Sequence, residues 1–230
     1  MVAVSFVMSS PLKRTCPRDG RRTPVTQLKR VVLPDPLGPI RPRSSPGSTL
    51  RLTRLSADQV CHRGISRTFQ LIQLFPEMTV LENLLMAGQE RNGTLWSRLI
   101  MRDETEETAR ALALVDYLGL SGVTDSLAAN LSYGQQKLLD FGMALMPKPQ
   151  LILLDEPMAG VNPTMIKTLV THIQDLNARG HTFVVIEHNM EVVMSLCRRI
   201  VVLCQGEKIA EGTPAEIHDN PAVMDAYFGR

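Results

Sequence analysis

Several features are scarce in this chain, and each scarcity excludes something. Aromatic residues make up 4% of it, with a single tryptophan. None interleaves the basic residues of the first segment, which argues against a nucleic-acid-binding arm. The four cysteines, Cys16, Cys61, Cys197 and Cys204, form neither a C-x-x-C pair nor a metal-ligand spacing. That excludes a zinc-finger or dithiol-redox reading, and reduced thiols are the expectation. No apolar run approaches the roughly 20 residues that cross a bilayer, so any membrane role must come through a partner. Met1 to Met8 is apolar, but it is short and lacks a basic start, so it makes a poor signal peptide.

Acidic residues are scarce in one place. Residues 1–55 hold eleven of the 25 Lys/Arg but two of the 23 Asp/Glu, together with eight of the fifteen prolines. The remainder keeps fourteen basic and 21 acidic residues and reads as an ordinary acidic domain. Residues 1–55 are therefore expected to be a disordered leader with no packed core of its own. Residues 56–230 are expected to form one domain.

Along that domain, residues 62–76 read as a loop or short strand. Thr79-Val80-Leu81-Glu82 is a capping box that opens a helix through about Gln89. Arg91–Ser97 reads as a loop. Asp103–Leu118 reads as a helix with Ala109, Leu112, Ala113 and Val115 on its apolar face, ended by Gly119. Ser132 opens a helix to about Leu145, stopped by Pro147 and Pro149. Residues 76–147 are thus mostly helical. Beyond Pro149 the pattern alternates. Leu151–Leu154 is a continuous apolar run, the mark of a strand buried on both faces. Asn162-Pro163 starts a helix with Ile166, Leu169, Val170, Ile173 and Leu176 on one face, capped by Gly180. Thr182–Ile186 is a strand, Glu191–Arg198 a helix and Ile200–Leu203 a strand. Gly206 leads into a hairpin at Lys208–Ala210, and Pro221–Phe228 is a last helix. Such alternation predicts α/β architecture with a parallel sheet.

Two stretches carry the chemistry. Leu131-Ser132-Tyr133-Gly134-Gln135-Gln136 is a polar helix start with a glycine, and a helix start gathers unpaired N–H groups suited to phosphate. Leu151-Ile152-Leu153-Leu154-Asp155-Glu156 is an apolar strand ending in two carboxylates. One of these suits a divalent cation and the other a general base. Plainer readings exist for each: a simple helix cap at Ser132, a solvated strand end at Asp155, a surface amide at Gln70, a core histidine at His188.

In this order and spacing the two stretches resemble the signature and Walker B motifs of ATP-binding-cassette (ABC) ATPases. Residues 56–230 resemble the ATPase subunit of importers for branched-chain amino acids, amides and urea. Gly64-Ile65-Ser66-Arg67-Thr68-Phe69-Gln70 is similar to that group's Q-loop approach, Ala159-Gly160-Val161-Asn162-Pro163 to its D-loop, and Asp225-Ala226-Tyr227-Phe228-Gly229 to its tail. The resemblance implies a P-loop-NTPase-like core, truncated here, with a helical subdomain at about 76–147. It implies ATP and Mg²⁺ as cofactors, Asp155 and Gln70 as Mg²⁺ contacts, Glu156 as general base and His188 as switch histidine. Ser132, Gly134 and Gln135 would bind the γ-phosphate held by a second ATPase subunit, and Asn162 belongs to the D-loop. Transmembrane permease subunits would be the other partners, placing the chain at the cytoplasmic face of a membrane. Gly134 would be needed because a Cβ there keeps the backbone from the phosphate. His62, His172, His181 and His218 are read as ordinary histidines.

One element of that family is absent: no G-x-x-x-x-G-K-[ST] phosphate loop occurs in the 230 residues. Its place upstream of Gln70 reads Val31–Ile40. On the opposite strand, shifted by one base, codons for these residues accommodate Gly-Pro-Asn-Gly-Ser-Gly-Lys-Thr-Thr. Residues from about 8 to 53 are thus expected to be the antisense of the missing region, through an inversion in the gene or its assembly. The nucleotide sequence tests this by reverse-complement translation. Without the loop, ATP binding in the family's manner is expected to fail, and the Walker B strand to lose cover from a central neighbour. The alternatives are a non-hydrolytic, partner-dependent remnant, or a cassette ATPase for another cargo such as lipid.

Overall fold

A computed structural model describes residues 5–9, 55–88 and 104–228. The elements run β1 (Ser5–Ser9), α1 (Ala57–Cys61), β2 (Ile65–Arg67), α2 (Val80–Gly88), α3 (Glu104–Tyr117) and α4 (Tyr133–Leu145). Then come β3 (Leu151–Asp155), α5 (Pro163–Ala178), β4 (Thr182–Ile186), α6 (Met190–Leu196), β5 (Arg199–Cys204), β6 (Glu207–Gly212), α7 (Pro214–His218) and α8 (Pro221–Phe228).

The six strands form one sheet in the order β2-β3-β4-β1-β5-β6. All pairings are parallel except β5 with β6, a hairpin turned at Gln205 and Gly206, both at positive φ. Parallel alignment brings the ends of β3 and β4 to one edge, where Asp155 stands opposite Ile186. Ligands of open α/β sheets collect at such carboxyl edges. The α/β expectation therefore holds.

The sheet bears on two expectations. Ser5–Ser9 lies in it between β4 and β5, so this part of the leader joins the sheet. The position filled borders β4 and β5 rather than β3, the Walker B strand. That strand keeps both its neighbours, β2 and β4, so it is not left uncovered. The rest of the leader and the Arg91–Ser97 loop fall outside the described residues, as does the antisense segment beyond Met8 and Ser9.

Helix starts follow their caps. Thr79 and Glu82 form the expected box, with the Glu82 N–H on Thr79 Oγ1 and the Thr79 N–H on Glu82 Oε2. Asn162 Oδ1 accepts the Met165 N–H at 2.9 Å. Two short helices went unread, α1 behind Ser56 and α7 behind Thr213, each with its own capping box. On α3 the inward stripe is Ala111 and Val115, continued by Leu118 just past its end, while Leu112 is 44% exposed. The apolar face is thus displaced from Ala109, Leu112 and Ala113. On α5 the expected face is correct at Leu169, Ile173 and Leu176, all buried.

One core joins the helical part to the sheet, from Leu84 and Leu118 through Leu139 and Met146 to Ile152, Leu154 and Phe183. Cys61 and Cys197 are free thiols, and burial raises Cys197 far above the ordinary thiol range. Cys204 is disulfide-bonded, which corrects the expectation of reduced thiols throughout. Among the described residues no helix is long and apolar enough to cross a membrane.

Candidate functional site

The site grows from the end of β3. Ile152 and Leu154 are almost fully buried, so the strand delivers Asp155 and Glu156 to the sheet edge rather than into open solvent. Glu156 takes a left-handed backbone, φ 45°. For a non-glycine residue that costs on the order of 1–3 kcal/mol, and such strain collects at functional positions. Its N–H donates to the Ile186 carbonyl, which pins the turn to β4.

Three expected residues converge. The Gln70 side-chain amide donates to Glu156 Oε2 at 2.9 Å. His188 Nδ1 stands 3.8 Å from Glu156 Oε1. Asp155, next in chain, pairs with Arg67 at 3.0 Å. Arg67 also lies over the Phe69 ring, 5.1 Å from its centroid.

Sequence reasoning missed the group that orders this corner. Glu187 is 1% exposed. Its carboxylate accepts the N–H groups of Met158, His188 and Asn189 at 2.9–3.1 Å. One buried side chain thus ties the loop after Glu156 to the loop carrying His188. A carboxylate beside a histidine was the available signal.

Ser132 belongs to a different place. Its hydroxyl accepts the Gln135 N–H at 3.3 Å, and Gln135 Oε1 accepts the Ser132 N–H at 2.9 Å, a full capping box. It makes none of the contacts that join Gln70, Glu156 and His188. The box leaves Tyr133 and Gly134 as the first orphan N–H donors of α4. A Cβ on Gly134 would lie 2.9 Å from the terminal methyl of Met165, a flexible end that can move. Packing within the chain is therefore a weak reason for this glycine. Gly160 differs: its φ is 73°, and a Cβ would meet the Tyr133 ring at 3.0 Å. Tyr133 also donates to the Ala159 carbonyl at 3.3 Å. Asn162 caps α5, the one role its contacts give it.

The other histidines have ordinary surroundings: His172 against the Tyr117 ring, His181 on the Pro149 carbonyl, His62 near Asp58.

Comparison with known proteins decides the family. The ABC transporter family model matches residues 45–159, and the model for branched-chain amino acid ATP-binding cassette transporters matches residues 207–230. The chain belongs to the ABC transporter family. This cassette is 39% identical over 185 residues to the high-affinity branched-chain amino acid transport ATP-binding protein LivG of Salmonella typhimurium. The match covers 77% of this chain and 72% of that one. A nucleotide-free ATP-binding cassette from an ABC transporter superposes with TM-score 0.71 at 28% identity, covering 99% of this chain and 88% of the other. The ATP-binding cassette MJ0796, solved as a dimer in a post-hydrolysis state with ADP and Pi, superposes with TM-score 0.61 at 27% identity, covering 72% and 70%.

Membership of the ABC transporter family implies nucleotide binding, and the described residues supply part of such a site. There is no phosphate loop in the sequence. Asp155, the expected Mg²⁺ contact, is engaged by Arg67.

Proposed function

We propose that this chain is the ATP-binding subunit of an importer for branched-chain amino acids or related amides that works in trans. Its Ser132–Gln135 helix start completes a nucleotide site whose phosphate loop belongs to a second ATPase subunit. Permease subunits in a membrane are the further partners, with the chain on the cytoplasmic face.

The observation that carries this reading is the separation of two half-sites. Gln70 and His188 each meet Glu156, while Ser132 and Gly134 stand apart on a capped helix start. A helix start with orphan N–H groups and a serine hydroxyl suits a phosphate presented from outside the chain. The relatives' names supply the amino-acid class. The absent loop and the Arg67–Asp155 pair favour an impaired site on this chain's own side, so no hydrolytic step is routed through Glu156 here.

The test is ATP turnover of this chain reconstituted with an intact relative. Turnover by the pair, lost on Ser132→Ala together with Gly134→Val in this chain, supports the reading. A pair no faster than the relative alone contradicts it.

A further inference from the structure

The signature helix buries two charges. Lys137 is 4% exposed and Asp140 9%. Three residues apart, they share a helix face. Burying charge is costly unless each group finds a partner, and both find theirs on the same stretch of chain. The Lys137 ammonium donates to the Gln70 carbonyl at 3.2 Å. Burial raises the Asp140 carboxyl, and the backbone N–H of Gln73 acts on it in the opposite direction, as does Lys137.

That stretch has no secondary structure, since no helix or strand covers residues 68–79. Its ends are held elsewhere: the Thr68 N–H on the Leu153 carbonyl, the Phe75 N–H on Asn83 Oδ1. Lys137 and Asp140 supply the hold on its middle. The residue so held carries the amide that reaches Glu156 at 2.9 Å. The helix doing the holding begins at Ser132.

We propose that Lys137 and Asp140 are positioning residues, a two-point clasp that fixes the Gln70–Gln73 segment to the signature helix. The clasp sets where the Ser132–Gly134 helix start stands relative to the Gln70–Glu156 cluster. Neither side chain touches the reacting atoms. Its functional consequence rests on the reading that the helix start completes a site in trans.

The experiment has two arms on the full chain. The first is amide hydrogen exchange. Asp140→Ala speeds exchange at Gln73 by at least about tenfold, whereas Asp140→Asn, which keeps an acceptor oxygen, leaves it within about twofold. Lys137→Met speeds exchange across residues 70–75, Lys137→Arg restores protection, and Phe141–Leu145 stay unchanged in all four. The second arm is turnover of the mixed pair. Lys137→Met lowers kcat by at least about tenfold with KM for ATP within about twofold, because the partner's loop holds the nucleotide, and Lys137→Arg recovers it. Unchanged exchange at 70–75 in both Asp140→Ala and Lys137→Met overturns the clasp. So do losses spread evenly along the helix, or a Lys137→Met pair with full kcat. A wild-type pair without turnover overturns the trans reading alone, and the exchange arm still decides the clasp.

Discussion

The two ends of the chemistry differ in how they are finished. The Glu156 corner is closed on itself: Gln70, His188, Glu187 and Arg67 occupy its polar atoms and those beside it. The Ser132 helix start is capped by its own Gln135 and then stops, with Tyr133 and Gly134 carrying the donors that remain. A corner that satisfies itself can keep its shape without a ligand. An exposed helix start with free donors can receive a ligand from beyond the chain. The Gln70–Glu156 contact is thus made within the chain, whereas the Ser132 helix start leaves its first donors facing outward.

The sharpest way to break the comparison is to damage each half in a mixed pair. Gly134→Val is expected to lower turnover at least about a hundredfold, near 3 kcal/mol of transition-state stabilisation. Glu156→Gln in the same chain is expected to change it less than about twofold. A Cβ at Gly134 already meets the Met165 terminal methyl at 2.9 Å, so an unchanged urea midpoint in Gly134→Val is the control that assigns the loss to the partner's phosphate rather than to internal packing. Equal losses from the two variants would erase the distinction.

Next comes the strand that delivers the carboxylates. Ile152 is fully buried, and Ile152→Ala is expected to cost about 2–5 kcal/mol in urea unfolding. A cost below about 1 kcal/mol would mean that the Glu156 corner does not depend on a packed β3.

Asp140 gives a pH test of the contact between the halves. Burial raises its carboxyl to about 6, against the lowering effects of the Gln73 N–H and Lys137. An unfolded aspartate titrates near about 3.9. The folded state therefore holds this proton more tightly. The resulting stability is fully present below about pH 4 and is lost as pH rises through about 6. Across that window the group is expected to account for about 1–3 kcal/mol. Asp140→Asn should flatten the pH dependence of the urea midpoint there, and an unaltered profile would count against the buried carboxyl.

Much of the fold was legible because local signals agreed. Leu151–Leu154 carried the continuous apolar run of a strand covered on both faces, and Thr79 with Glu82 marked a helix start that the structure reproduces. Gln70, Glu156 and His188 were readable from motif order, and they meet. Three things were not legible. Ser5–Ser9 sits in a segment whose charge and prolines speak for disorder, and only pairing with strands about 180 residues on gives it a place. Lys137 and Asp140 look like solvent-facing residues of a polar helix, because nothing local reveals a partner 67 residues away. The inward face of α3 was displaced because alanine and leucine on its outer side matched helical spacing as well as the true stripe did.

The smallest expected effect lies far from both halves. Thr213 caps α7 through Glu216, and Thr213→Ala should cost about 1 kcal/mol of stability while leaving mixed-pair turnover unchanged. A fall in turnover would tie this end of the chain to the Ser132 half.

The central claim is that this chain offers a helix start to another chain's nucleotide and holds none of its own. ATP turnover by the purified chain alone tests it most directly. No activity above background is expected at any protein concentration. Robust turnover, abolished by Glu156→Gln, would contradict it.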